Sequence, residues 1–202
     1  QTGCTKYIQA DHRSEGFAAL KSDGKIETWG SGFSNSFSGS GYVKLFGQRT
    51  AFAAIKSDGS VKVQGESGAG GTDPGIGAGT NCDYDSDGNY LSGTGCTKDI
   101  KSTEQAFVAI KSDGTIKAWG HNHQGGCEGT SGYTYATCLE TGLTGIDTVF
   151  AAHEAFVAVS AASITYGPKI SGTGSSFKKS GTCSTCGTNE ERPAGDPTDG
   201  PD

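Results

Sequence analysis

Short apolar runs alternate with polar turns along the chain, and one such pattern recurs. Three closely similar segments occupy residues 17–30, 52–65 and 107–120, with the sequences FAALKSDGKIETWG, FAAIKSDGSVKVQG and FVAIKSDGTIKAWG. A fourth, FVAVSAASITYG at 156–167, is degraded. Agreement at most positions of three copies identifies an internal repeat, and this repeat is the main sequence signal for the architecture.

Each repeat predicts three short strands. The unbroken apolar run that opens a copy is typical of a strand buried on both faces. The Asp-Gly pair that follows predicts a tight hairpin with positive φ at both residues, and the next strand ends at Trp-Gly or at its Gln64 replacement. A further strand is predicted just upstream, around Ile8, Leu45, Ile100 and Val149. The predicted repeat core consists of Phe17, Leu20, Trp29, Phe52, Ile55, Phe107, Ile110, Trp119 and Phe156.

A larger duplication encloses the repeats, because TGCTKYI at 2–8 recurs as TGCTKDI at 94–100. We therefore predict one repeat domain over 1–170, with an insertion at 67–93 and a tail at 171–202. The tail is rich in Gly, Ser, Cys and Pro and is predicted to be irregular. The repeats are placed near 7–30, 43–65, 99–120 and 148–167.

The pattern A-F-x-A-[LIV]-K-S-D-G-x-[IV]-x-x-W-G resembles the repeats of the regulator of chromosome condensation superfamily and of propeller-type β-lactamase inhibitor proteins. The resemblance implies an all-β, propeller-like domain of four recognisable three-stranded repeats, forming a complete small ring or a partial ring. The Gly-Gln-Leu-Gly segment that usually follows Trp-Gly is missing, so the nucleotide-exchange role of the nuclear members is not carried over.

The repeats are also similar to tandem AFAALKSDGSVVTWG-like copies in secreted proteins of marine bacteria and microalgae. That likeness implies a building element of large surface or adhesive proteins. The terminal CSTCGTNEERPAGDPTDGPD is similar to the start of Cys-rich modules in secreted protist proteins.

The charge of the chain limits its possible partners, and its cysteine content indicates its compartment. A net charge of −6 disfavours nucleic-acid and anionic-membrane partners, and no apolar run approaches the roughly 20 residues that span a bilayer. Seven cysteines favour an oxidising, extracellular compartment. Short separations suggest local disulfides between Cys82 and Cys96 and between Cys127 and Cys138, although the connectivity stays open. The other cysteines are Cys4, Cys183 and Cys186.

Two segments have the residue types of metal sites. Asp83, Asp85, Asp87 and Asn89 surround Gly88 at the spacing that opens a calcium loop. The twelfth position is Thr94 instead of the bidentate Glu, so a solvated loop of Asx turns is the alternative. No cofactor is certain from the sequence, and calcium is the one that this loop would hold.

Three other residues give a weaker metal signal. His121 and His123 lie near Cys127 in sequence, and the three residues form a candidate zinc or copper site. The alternative is that Cys127 pairs with Cys138 in a disulfide and is not a metal ligand. The Cys183-x-x-Cys186 spacing lacks the strand and helix of a redox motif and is interpreted as a structural disulfide.

No nucleophile elbow and no Ser, His and Asp set is indicated by spacing, so we do not expect an enzyme. The sequence favours an extracellular structural subunit of a filament, appendage or cell covering that assembles through its β-repeat surfaces. The alternative is a secreted propeller module that binds a protein or glycan. The expected partners are copies of the chain itself or other extracellular proteins.

Overall fold

The computed structural model describes residues 3–10, 16–30, 33, 37–126, 143–160 and 163–166. Within these ranges the chain forms β-strands and two short 3-10 turns, with no α-helix. The predicted Cys-containing tail and residues Cys127, Cys138, Cys183 and Cys186 lie outside the described residues. The described residues therefore have the predicted all-β class.

The strands form four three-stranded antiparallel sheets, one for each predicted repeat. Sheet 1 contains β1 Thr5–Ala10, β2 Gly16–Lys21 and β3 Ile26–Gly30, and sheet 2 contains β4 Tyr42–Gly47, β5 Ala51–Lys56 and β6 Val61–Gly65. Sheet 3 contains β9 Thr97–Ser102, β10 Ala106–Lys111 and β11 Ile116–Gly120, and sheet 4 contains β12 Ile146–Ala151, β13 Phe156–Ser160 and β14 Ser163–Tyr166. The hairpin β7 Thr80–Tyr84 and β8 Tyr90–Thr94 lies between sheets 2 and 3 in sequence, and the 3-10 turns are Ser67–Ala69 and Asn122–Gln124.

The sheets stack face to face in chain order, in a propeller-like arrangement. We call the side of a sheet that faces the preceding sheet its back face and the opposite side its forward face. In sheet 3, Phe107 pairs with Trp119 and Ala109 pairs with Ile100 across neighbouring strands. Because side chains alternate between faces along a strand, these four residues share the back face, whereas Val108 lies on the forward face.

Each junction between sheets holds one apolar cluster. The clusters join sheets 1 and 2, sheets 2 and 3, and sheets 3 and 4. At the second junction the forward residues Ala53, Ile55 and Val61 pack with the back residues Ile100, Phe107 and Trp119. The middle strands β5 and β10 are buried at their first five positions, as the unbroken apolar runs predicted.

The Asp-Gly hairpins differ from the prediction in one respect. Only the glycine takes positive φ, at 74° for Gly24, 80° for Gly59 and 77° for Gly114. The Gly114 nitrogen donates to the Lys111 carbonyl at 3.0 Å, which closes a turn before the glycine. Three-residue hairpin loops of this kind use a type I turn followed by a left-handed glycine, so the aspartate needs no positive φ.

The same glycines connect neighbouring sheets. The carbonyls of Gly24, Gly59 and Gly114 accept hydrogen bonds from the backbone nitrogens of Tyr42, Thr97 and Ile146, at 2.9, 3.3 and 2.9 Å. Each donor belongs to the first strand of the next sheet. The Asp-Gly turn therefore reverses the chain and also sets the position of the following sheet.

The Asp113 carboxylate shows why aspartate suits this turn. It accepts hydrogen bonds from the Thr115 hydroxyl at 2.6 Å and the Thr115 nitrogen at 2.9 Å. The hydroxyl, followed by the backbone nitrogen, lowers the pKa of Asp113. A carboxyl with a lowered pKa in the folded state stabilises the fold above its ordinary value of about 3.9, and this contribution is lost as the pH falls through the lowered pKa.

We expect Asp113→Ala to lower the free energy of unfolding by about 1 kcal/mol at neutral pH, the usual contribution of such a hydrogen bond. The difference from the wild type should shrink below pH 4 or so, because the wild-type carboxyl then becomes protonated. Urea denaturation across pH measures it. Thr115→Val should weaken the pH dependence, and a pH-independent difference for Asp113→Ala would contradict the explanation.

The two 3-10 turns cover the phenylalanine of the next sheet. A Cβ atom placed on Gly70 would lie 2.8 Å from the Phe107 ring, and one on Gly125 would lie 2.7 Å from the Phe156 ring. The Gly70 carbonyl accepts the indole N–H of Trp119 at 3.1 Å. These glycines let the backbone pass directly over an aromatic ring, which seals the edge of the junction.

We expect Gly70→Ala to destabilise the fold by roughly 1–3 kcal/mol, because φ at this residue is +97° and the ring of Phe107 would have to move. Gly68→Ala is the matched control in the same segment, since a Cβ there meets nothing within 4 Å. Chemical denaturation of both variants tests this. Equal stability of the two variants would contradict the role given to Gly70.

The insertion between sheets 2 and 3 is tied down by the hairpin β7–β8. Cys82 and Cys96 form a disulfide, so the predicted local link is present. The Tyr84 hydroxyl donates to the Thr97 carbonyl at 2.7 Å, and burial, followed by the proximity of Tyr90 and Asp58, raises the pKa of Tyr84 to about 12. Cys4, which occupies the position of Cys96 in the duplicated segment, is exposed.

Candidate interaction surface

The back face of sheet 1 is the most unusual surface of the described chain. Ile8, Phe17 and Trp29 are 52%, 39% and 43% exposed, whereas the equivalent Leu45, Ile100 and Val149 and the other repeat phenylalanines are buried. The prediction that Phe17 and Trp29 belong to the core is therefore wrong. Their residue types suit a sheet junction, but no described sheet packs against this side of sheet 1. The other predicted core residues, Leu20, Phe52, Ile55, Phe107, Ile110, Trp119 and Phe156, are buried.

The aromatic pair on this face has the geometry of a junction. The rings of Phe17 and Trp29 stack with centroids 5.7 Å apart and planes 18° apart. The buried pair Phe107 and Trp119 stacks almost identically, at 5.3 Å and 26°. The backbone register sets both pairs, since Phe17 lies opposite Trp29 and Phe107 opposite Trp119. Sheet 1 thus presents an ordered aromatic surface that no described sheet covers.

Sheet 2 shows how the junction tolerates the loss of its tryptophan. Phe33, from the segment after β3, packs on Phe52 with ring centroids 4.9 Å apart and is 4% exposed. The Thr28 hydroxyl donates to the side-chain amide oxygen Oε1 of Gln64 at 3.4 Å across the junction. The repeat pattern does not identify Phe33. The signal that could have found it is an aromatic residue where the second and third repeats have Gly68 and His123.

The candidate calcium loop is closed by its own hydrogen bonds. Asp85 Oδ1 accepts from the nitrogens of Asp87 and Asn89 at 2.9 and 2.8 Å. Lys44 Nζ donates to Asn89 Oδ1 at 3.3 Å, and Lys6 donates to the Ser86 carbonyl. The ammonium groups of Lys6 and Lys44 therefore lie beside this loop.

In the described ranges no three His, Cys, Asp or Glu side chains are grouped as a metal site requires. Calcium binding by Asp83, Asp85, Asp87 and Asn89 stays a prediction. Close packing explains the glycine at position 88. Its φ is +79°, and an added Cβ would lie 2.3 Å from the Val43 carbonyl oxygen. The loop matches the Asx-turn alternative.

We expect the melting temperature of the protein to be the same in calcium and in excess chelator. Asp85→Ala should lower it equally in both conditions, because the carboxylate holds the loop through hydrogen bonds. The backbone nitrogen of Asn89, followed by its side chain, lowers the pKa of Asp85. That contribution should fade as the pH falls through the lowered pKa. A melting temperature that rises with calcium in the wild type alone would contradict this.

The candidate histidine site is incomplete among the described residues. The rings of His121 and His123 have centroids 5.4 Å apart, and no acidic or sulfur ligand completes a group of three there. Cys127 lies outside the described residues. The zinc or copper interpretation stays a prediction.

An open cleft of about 250 Å³ is lined by β4, the hairpin, β9, β10 and β12. Lys44 in its lining lies 3.6 Å from Asp99, which also contacts Lys101 at 2.8 Å. The lining contains no histidine, cysteine or serine, and of the predicted site residues it includes Asn89 and the core residue Ile110.

Comparisons with known proteins reveal similarity of structure only. No family model matches the chain, and no curated protein matches it. The entire ectodomain of the receptor kinase CR4 from Physcomitrella patens aligns over 78% of this chain and 38% of its own, with 11% identity and a TM-score of 0.48. Yeast RCC1 (Prp20), in its structure with Kap60, aligns over 76% and 40%, with 19% identity and a TM-score of 0.45.

Human WBSCR16 aligns over 81% of this chain and 47% of its own, with 13% identity and a TM-score of 0.45. The chain thus spans less than half the length of each of these three structures. The described residues include no helix with the length and hydrophobicity needed to cross a bilayer. The candidate site is therefore defined by the chain's own geometry, as the aromatic back face of sheet 1.

Proposed function

We propose that the chain is an extracellular structural subunit that joins other protein surfaces through the faces of its β-sheets. The observation that carries the proposal is the exposed back face of sheet 1, where Ile8, Phe17 and Trp29 stand 39–52% exposed. Contiguous apolar surface of this kind marks interaction sites on soluble proteins, and aromatic residues are enriched at such sites.

The order of this face supports a specific contact. Phe17 and Trp29 are stacked on a strand pair, so their rings lose little freedom when a partner covers them. Rigid aromatic anchors contribute more to association than flexible side chains for this reason. The Cys82–Cys96 disulfide supports an oxidising and hence extracellular setting.

The geometry favours the structural role over loop-mediated recognition. In the alternative module, the segments after β6 and β11 would be among the loops that bind a protein or glycan. Gly70 lies against the Phe107 ring, and Gln124 is 8% exposed, with its carbonyl accepting the Thr103 hydroxyl at 2.9 Å. Both segments are used within the junctions between sheets.

The test compares the producing cells with and without permeabilisation. A membrane-impermeant label should reach the wild-type protein on intact cells, and native extraction should release it in particles much larger than one 20.6 kDa chain. Trp29→Glu should still be exported but should be recovered in smaller particles. Leu91→Glu is the matched control, because Leu91 is 58% exposed on β8 and should not affect particle size.

Two results would contradict the proposal. If the label reaches the protein only after permeabilisation, the protein is not extracellular. If Trp29→Glu protein is recovered in particles of wild-type size, the back face of sheet 1 is not needed for assembly.

A further inference from the structure

The array has a second unpartnered face at its other end. On the forward face of sheet 4, Phe150 is 63% exposed and Val157 and Val159 are only partly buried. Phe150 lies directly opposite Val157 in the register of β12 and β13, which places them on one face. Sheet 4 thus ends the array with apolar side chains that have no described sheet in front of them.

The middle-strand positions are buried in the preceding sheets, and the position of Phe150 is partly buried there, in Gln9, Phe46 and Lys101. Phe46 of sheet 2 occupies the register position of Phe150 and packs against the cluster between sheets 2 and 3. Val108 and Ile110 of sheet 3, equivalent to Val157 and Val159, are 0% and 3% exposed. The two valines of sheet 4 resemble their counterparts in sheet 3, so their greater exposure coincides with the lack of a described sheet in front of them.

The two exposed faces are the two halves of one kind of junction. Three times within the chain, a forward face with two aliphatic residues of the middle strand meets a back face with a phenylalanine of the next middle strand. Sheet 4 offers an uncovered forward face, and sheet 1 an uncovered back face with Phe17. Of the five large apolar side chains exposed in the described residues, four lie on these two faces: Ile8, Phe17, Trp29 and Phe150.

We infer that the chain binds a second copy of itself head to tail, with the back face of sheet 1 of one copy against the forward face of sheet 4 of the other. The inference rests on the proposed function and names its partner. The occupant is a second copy because the chain itself provides both sides of the contact, in the register that already joins its own sheets.

Such a contact uses two different surfaces, so each bound copy leaves one face of each kind open. Head-to-tail contacts of this type close into a ring when the rotation between copies permits it, and otherwise continue as a filament. Back-to-back pairing of two sheet 1 faces would stop at a dimer and would leave Phe150 exposed. The two arrangements are therefore distinguishable by variants at opposite ends.

The experiment uses purified, oxidised protein with accessible thiols alkylated, so that no disulfide links two copies. Sedimentation velocity over a concentration series should show wild-type species larger than a monomer. Trp29→Glu and Phe150→Glu should each weaken association at least tenfold, while Leu91→Glu should match the wild type. A mixture of Trp29→Glu and Phe150→Glu should form a 1:1 dimer and nothing larger, because each variant retains the face that the other lacks.

Fluorescence provides a second readout. The chain has two tryptophans, and Trp119 is 4% exposed and stays buried in either state. Subtracting the emission spectrum of Trp29→Phe from that of the wild type gives the emission of Trp29. This emission should shift to shorter wavelength as the protein concentration rises, because the contact buries Trp29. Melting temperatures and Trp119 emission verify that the variants are folded.

Several results would overturn the inference. A wild-type protein that stays monomeric up to about 1 mM has no useful self-affinity. Association that Phe150→Glu leaves unchanged indicates back-to-back pairing. A third result separates the two proposals. If the purified wild type stays monomeric but Trp29→Glu protein is recovered from cells in smaller particles than the wild type, the back face of sheet 1 binds another partner. In that case the proposed function stands and only the head-to-tail contact fails.

Discussion

The structure depends on burial of both faces of the middle strand in each repeat. A three-stranded sheet with apolar residues on its two faces cannot exclude water alone, so each sheet requires a neighbour in front and another behind. The strands β5 and β10 meet that requirement and are buried at five successive positions. Stacking in chain order is the simplest way to meet it for repeats of one kind. The hydrophobic stabilisation of the fold is thus distributed over junctions between sheets and not held in one central core.

Close backbone approach completes each junction. In sheets 1, 2 and 3 the carbonyl of the Asp-Gly glycine accepts a hydrogen bond from the first strand of the next sheet. Gly70 and Gly125 let the chain pass over a phenylalanine ring at a distance that no Cβ would allow. A glycine-rich composition is therefore a structural requirement of stacked small sheets, because each contact brings main chain against main chain or ring.

The two end sheets of the array provide the candidate interaction surfaces for the same reason. A repeat that needs two neighbours is incomplete when it has one, and its residues remain suited to the missing contact. Phe17 and Trp29 keep the stacked geometry of Phe107 and Trp119 although nothing described covers them. The candidate surface therefore results from the same repeat pattern that forms the buried junctions, and no separate sequence motif is needed to explain it.

The sequence by itself determined the strand pattern, the number of repeats, the hairpin positions and one disulfide, because each depends on residues close together in the chain. It also identified Leu45, Ile100 and Val149 as apolar members of the first strands, and these are buried. Only the tertiary structure decided that Phe17 and Trp29 are exposed, that Phe33 replaces a tryptophan, and that Lys44 lies beside Asn89. These outcomes depend on which sheet lies next to which, and identical repeats contain no local signal for the presence or absence of a neighbour.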